Sequence, residues 1–174
     1  TAAHAALTAT TTWDVIGQAM PGFNNIDQLS FSTEVDFSTD AEGIIFEFGG
    51  SGRGTILYQH DGVLYLQAGR GNGTGESHDR GEASWQVVNG TATIEGSMDA
   101  DGGLALMVNG EVVSQSSFQA ASLSGGNVGG VGQGQSSVAA NRGGFDRNSA
   151  GHPGVTEVTF YENQTTGHET QPLN

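Results

Sequence analysis

Leu29-Ser-Phe-Ser-Thr-Glu-Val-Asp-Phe37 places Leu29, Phe31, Thr33, Val35 and Phe37 on one parity and Ser30, Ser32, Glu34 and Asp36 on the other. Successive side chains of a strand point to opposite faces of a sheet, so a period of two is the pattern of a half-buried strand. A short acidic turn follows, and then Gly43-Ile-Ile-Phe-Glu-Phe-Gly49. Further along, Asp99-Ala-Asp-Gly-Gly103 leads into Leu104-Ala-Leu-Met-Val108, then Asn109-Gly110, then Glu111-Val-Val113. Asn-Gly between two apolar runs signals a tight hairpin, because both turn residues need positive φ. Together these stretches predict an all-β chain folded as an antiparallel two-sheet sandwich.

Working outward, strands are expected near 29–37, 43–49, 53–59 and 62–69, the last two joined through Asp61-Gly62. Val63-Leu-Tyr-Leu66 is bulky on both parities, as in a strand packed on two sides. Residues 70–82 read as a polar, Gly-rich loop. A second hairpin runs Ser84–Val88, Asn89-Gly90, Thr91–Met98, with Ala92, Ile94 and Met98 on one face. Residues 114–153 hold few large apolar groups; short strands are expected near 128–131 and 136–140, then a long loop over 141–153. The closing strand is expected at 155–162, with Thr156, Val158 and Phe160 facing inward. Residues 1–12 form an Ala/Thr-rich arm, frayed or paired to a neighbour; residues 13–162 form the sandwich, opening at Trp13–Ile16, and 163–174 form a polar tail.

Composition narrows the function classes. The 174 residues include 29 glycines but only 3 prolines, which suits many tight turns in one domain. Nineteen acidic residues against five basic ones give a formal charge of −14. That charge repels phosphate backbones and anionic membranes, so nucleic acid is excluded as a partner. No apolar run is long enough to insert into a bilayer. The chain has no cysteine, which removes disulfides and thiolate metal sites and fits an exposed setting outside the cell. Thr1–Thr10 lacks a basic n-region and does not read as a signal peptide.

The order strand, acidic turn, Gly43-Ile-Ile-Phe-Glu-Phe-Gly49, hairpin through Asp61-Gly62, then Asp101-Gly-Gly-Leu-Ala-Leu-Met-Val-Asn-Gly-Glu-Val-Val113 resembles the laminin-G-like branch of the concanavalin A-like jelly rolls. Gly154-Val-Thr-Glu-Val-Thr-Phe-Tyr161 is similar to that family's closing strand. The resemblance spans about residues 29–162 and departs over 114–140. It implies a sandwich of about 12 to 14 strands, used to bind glycans or proteins, in some members with calcium at a rim.

Several residue groups could carry chemistry. Glu34 and Asp36 share a strand face at i and i+2, as two cooperating carboxylates of a glycoside hydrolase require, but Phe37-Ser-Thr follows instead of a third acid. His60-Asp61-Gly62 reads as a hairpin turn, and Asp99-Ala-Asp101-Gly as another, since the later ligands of a calcium loop are missing. The runs 69–75 and 129–134 are Gly-rich without opening a helix, so they are turns and not phosphate cradles. Two loops stand out as binding elements. Arg70, Asn72, His78 and Asp79 lie in one; Arg142, Phe145 and Arg147 lie in the other, with guanidinium forks for carboxylates or vicinal hydroxyls. Asp146 and Asn148 are oxygen donors suited to calcium, and irregular His spacing excludes zinc.

The sequence thus predicts a non-enzymatic recognition or attachment module at an extracellular, cell or virion surface, binding a glycan or a surface protein through its loops. Two other readings stay open. One is a structural subunit of a phage head, fibre or bacterial surface assembly, its arm pairing with neighbouring subunits by strand addition. The other is a glycoside hydrolase or lyase.

Overall fold

The computed structural model describes residues 8–14, 24–26, 28–48, 54–69, 80–99, 102–117, 123–124, 129–132 and 151–163. In chain order the strands are β1 (Thr8–Asp14), β2 (Asn24–Ile26), β3 (Gln28–Phe37), β4 (Gly43–Phe48), β5 (Gly54–His60), β6 (Val63–Gly69) and β7 (Arg80–Gln86). There follow β8 (Gly90–Asp99), β9 (Gly103–Val108), β10 (Glu111–Ser117), β11 (Leu123–Ser124), β12 (Gly129–Val131) and β13 (Glu157–Asn163). No helix occurs among the described residues.

The strands form a six-stranded sheet, β1-β13-β3-β8-β9-β10, and a five-stranded sheet, β12-β4-β5-β6-β7; β11 and β2 make a separate pair. Every strand pairing is antiparallel. Two of the three expected two-residue hairpins form: Asp61 and Gly62 take φ of 49° and 77°, and Asn109 and Gly110 take 52° and 84°. The third does not: Asn89-Gly90 carries the chain from β7 in the five-stranded sheet to β8 in the six-stranded one, so the two strands it joins are not paired. Asn109 also extends the ladder, its side-chain Oδ1 accepting from Thr93 N–H at 2.9 Å.

Alternation decides what is buried. On β3 the inward parity, Leu29, Phe31, Thr33, Val35 and Phe37, is buried, while Glu34 and Asp36 are exposed. Facing it across the sandwich are Phe46, Leu57, Leu64 and Leu66. Phe46 stands at the centre, edge-on to Phe31 at 4.8 Å and to Phe160 at 5.1 Å between ring centroids. Gly96 lies opposite Phe31 in the β3–β8 register, and a Cβ there would run into the Phe31 ring. The missing side chain is what lets the ring sit over β8.

The sheet edges are managed by local polar chemistry. β7 and β10 are edge strands of different sheets, yet Ser116 Oγ accepts from Glu82 N–H at 3.3 Å and Ser114 Oγ from Ser84 N–H at 3.1 Å. Two hydroxyls thereby cap donors that an exposed edge would offer to another chain. On the opposite side, the edge of β4 is covered first by β12, then by Gly132 N–H to Ile45 O and His152 N–H to Ile44 O.

The structure moves some sequence-based boundaries. Arg80–Glu82 belong to β7 and not to the preceding loop, because they continue the ladder with β6 down to Gly69↔Arg80. Thr156 is exposed, whereas Val155 is buried and bridges Val35. An extra residue before β13 shifts the parity, so Thr156 does not face inward with Val158 and Phe160. β1 begins at Thr8, inside the segment read as an arm, and pairs with β13 of the same chain from Thr8↔Glu162 to Asp14↔Glu157. Asn163, read as the first residue of the polar tail, is the last of β13 and pairs with Gln28; the rest of that tail and the strand expected at 136–140 lie outside the described residues.

Candidate functional site

The outer face of the five-stranded sheet carries a second, mostly buried cluster of apolar and polar side chains. Register aligns one row as Glu47–Ile56–Gln67–Glu82 across β4, β5, β6 and β7, and the next as Ile44–Tyr58–Tyr65–Ser84. Tyr58 and Tyr65 stack, with ring centroids 5.2 Å apart and planes 28° from parallel. Beside them Gln67 Nε2 donates to Glu82 Oε2 at 2.7 Å and lies 3.4 Å from Tyr58 Oη. Ile44, Ile56, Tyr58, Glu47 and Gln67 are buried, Tyr65 and Glu82 half-buried, and Ser84 and Gln86 exposed. The face therefore opens toward β7. There it presents the partly exposed Tyr65 ring beside the Glu82 carboxylate, which the buried Gln67 amide holds in one orientation.

The opposite face, on the six-stranded sheet, holds a cleft of about 390 Å³ lined by Ser32, Thr33, Glu34, Thr93, Thr156, Glu157 and Thr159. Its origin is a β-bulge. β13 pairs with β3 as far as Thr159↔Ser32, and the next bridge is Val155↔Val35. Thr33 and Glu34 therefore oppose three residues, Thr156, Glu157 and Val158, and the two chains part there. Thr33 Oγ1 donates to Glu157 O at 2.6 Å and holds the bulge in shape.

At one rim, the Asp61-Gly62 turn is pinned by Glu42: its Oε2 lies 2.8 Å from His60 Nδ1, and its Oε1 accepts from Asp61 N–H at 3.0 Å. Asp61 Oδ2 lies 3.2 Å from the other ring nitrogen of His60. Ligand atoms of Glu42, His60 and Asp61 fall within 4.8 Å of one another. Both imidazole nitrogens already face carboxylates, so the cluster is explained by the turn it fastens.

A fourth polar group is interior. His152, 2 % exposed, presents Nε2 to Gln59 Oε1 at 2.6 Å, while Nδ1 accepts from Gly154 N–H at 3.0 Å. That network assigns the neutral Nε2–H tautomer. Burial pushes its pKa down from 6.5 to about 4, against the Asp36 carboxylate, which raises it.

Arg70, Asn72, His78, Asp79, Arg142, Phe145 and Arg147, and the calcium donors Asp146 and Asn148, lie outside the described residues. Glu34 and Asp36 are exposed, as strand parity requires, and Glu34 lines the cleft. Asp99 and Gly102 form the expected turn, with Gly102 N–H donating to Asp99 O at 2.9 Å. Sequence reasoning missed the Tyr58–Tyr65 stack. The signal was present: a two-residue turn at Asp61-Gly62 sets Tyr58 opposite Tyr65 by counting outward. It missed Glu157 in the cleft because a bulge leaves no periodic trace.

No protein-family model and no curated protein matches the chain. Solved structures do match. A mouse laminin α1 chain, domains LG4-5, superposes with a TM-score of 0.51 at 13 % identity, covering 91 % of this chain and 47 % of that one. The CBM40 of Ruminococcus gnavus IT-sialidase gives a TM-score of 0.57 at 13 % identity, covering 90 % and 94 %. The same CBM40 bound to α2,3 sialyllactose gives 0.56, again at 13 % identity, covering 90 % and 94 %. The chain spans about half the length of the laminin chain it matches, 47 %, and nearly all of the CBM40.

Proposed function

We propose that the chain, whose fold is that of the laminin-G-like, concanavalin A-like jelly rolls, is a non-catalytic, surface-exposed module that binds glycans on the β7 side of the outer face of its five-stranded sheet. The observation that carries this reading is the partly exposed Tyr65 ring, stacked on the buried Tyr58 and set beside the Glu82 carboxylate that Gln67 holds. A sugar ring presents an apolar face and a rim of hydroxyls. Tyr65 offers area for the first, and Glu82, Ser84 and Gln86 offer donors and acceptors for the second, with the buried Gln67 amide holding the Glu82 carboxylate in place. A CBM40 of this fold solved with sialyllactose supports a glycan as the ligand class. Arg70, Asn72, His78, Asp79, Arg142, Phe145 and Arg147 are proposed as further ligand contacts, and Asp146 and Asn148 as donors to calcium.

A glycan array followed by calorimetry on each hit tests the proposal. Binding is expected to weaken by about tenfold or more in Tyr65→Ala, in the manner of an aromatic anchor. Arg142→Ala with Phe145→Ala tests the loop contribution, and chelator tests calcium. An empty array together with self-assembly in light scattering would replace this reading with that of a structural subunit. Polysaccharide turnover abolished by Glu34→Gln would replace it with a hydrolase.

A further inference from the structure

We propose that the cleft at the β3–β13 bulge is a second ligand site, on the sheet opposite the glycan face, and that it takes an amino sugar in its protonated form. Its volume, about 390 Å³, lies within the range of small-molecule sites and suits one or two sugar rings. Its chemistry is uniform. Ser32, Thr93, Thr156 and Thr159 contribute hydroxyls, which both donate and accept, as a ligand rich in hydroxyls needs.

The charge is one-sided. Glu34 and Glu157 are both exposed carboxylates at this cleft, and among the described residues no arginine or histidine lines it. Among the described residues, neither carboxylate enters an ion pair. Ionised carboxylates only accept hydrogen bonds, so together they favour a ligand that brings donors and positive charge. An ammonium on a hydroxylated ring supplies both. Among the described residues no aromatic ring lines the cleft, which separates this site from the Tyr58–Tyr65 face and disfavours a ligand recognised by ring stacking.

The geometry is built in and does not depend on a mobile side chain. The bulge parts β3 from β13, the Thr33 Oγ1 to Glu157 O bond holds that parting, and β8 closes one side through Thr93, opposite Glu34 in the ladder. Bulges commonly re-aim side chains next to binding sites, and here the extra residue turns Thr156 and Glu157 outward.

The test is calorimetric titration of the full chain with a glucosamine tetramer and with its fully N-acetylated counterpart, near pH 6.5 and at two salt concentrations. The glucosamine tetramer is expected to bind at least ~10-fold more tightly than the acetylated one, and more weakly at the higher salt. Glu34→Gln with Glu157→Gln should weaken it by ~10-fold or more, two charge-assisted contacts being lost. Asp40→Asn with Glu111→Gln removes the same charge from exposed positions elsewhere and should change affinity less than ~2-fold. Tyr65→Ala should leave this binding intact, which keeps the outcome separate from that for the glycan face. Equal loss in the two charge-matched double variants would mean diffuse attraction to an acidic surface and would overturn the proposal. So would equal affinity for the acetylated tetramer, or no binding of the glucosamine tetramer.

Discussion

His152 Nε2 lies 2.6 Å from Gln59 Oε1, and that contact fastens the segment before β13 to the five-stranded sheet. Gln59 is held in turn, its Nε2 donating to Ser38 O at 2.8 Å. The same segment reaches the other sheet through Gly154 O, which accepts from Asp36 N–H at 3.0 Å, and through the Val35↔Val155 bridge. Phe37 stands edge-on to the imidazole at 5.5 Å between centroids. One neutral histidine thus clips both sheets at one end of the sandwich.

This clip makes stability depend on pH. The folded His152 titrates near 4 and the unfolded one near 6.5, so between those values the unfolded chain binds more protons. Stability is full above about pH 6.5 and is lost as pH falls through about 4, by roughly 3 kcal/mol from this group. Thermal melts across that window should show the decline. His152→Gln, which cannot take up the proton, should flatten it; an unchanged slope in that variant would remove His152 as the cause.

Gly96→Ala should destabilise the sandwich by about 1–3 kcal/mol, because the new methyl overpacks against Phe31. Phe31→Leu in the same chain frees space at that position and should recover part of the loss. Denaturant melts of the two single variants and the double variant measure the coupling.

Ser114→Ala with Ser116→Ala uncaps the Ser84 and Glu82 N–H groups on the β7 edge. Each lost hydrogen bond should cost about 0.5–1.5 kcal/mol. Hydrogen exchange should speed up at those two amides, and the newly bare edge should raise self-association in light scattering.

Gly62→Ala places a Cβ at φ 77° in the turn after Asp61. The expected cost is about 1 kcal/mol, from the left-handed backbone and not from a clash, since the nearest neighbour of that Cβ is Thr39 O at 3.8 Å. Glycine replaced by D-alanine in a synthetic or semisynthetic chain should not carry that cost.

Local pattern was enough for most of the strands. Alternation over 29–37 and 90–98 marked the inward parities of β3 and β8, and Asp61-Gly62 and Asn109-Gly110 marked two hairpins, because side-chain direction and turn φ are decided within a few residues. The pairing of Tyr58 with Tyr65 followed from the same turn by counting. The placement of β13 between β1 and β3 was not legible, since it joins residues more than a hundred positions apart and rests on backbone hydrogen bonds that any sequence can make. The bulge beneath Glu34 and Glu157 was hidden for a related reason: one extra residue is visible only against the partner strand. His152 looked like a loop residue because its burial comes from Gln59, Phe37 and the two sheet ends it touches, none of them near it in the chain. The sequence by itself determined strands, turns and faces, which are short-range consequences of sterics and hydrophobic period; only the tertiary structure decided which faces meet, where they part, and hence where a ligand can enter.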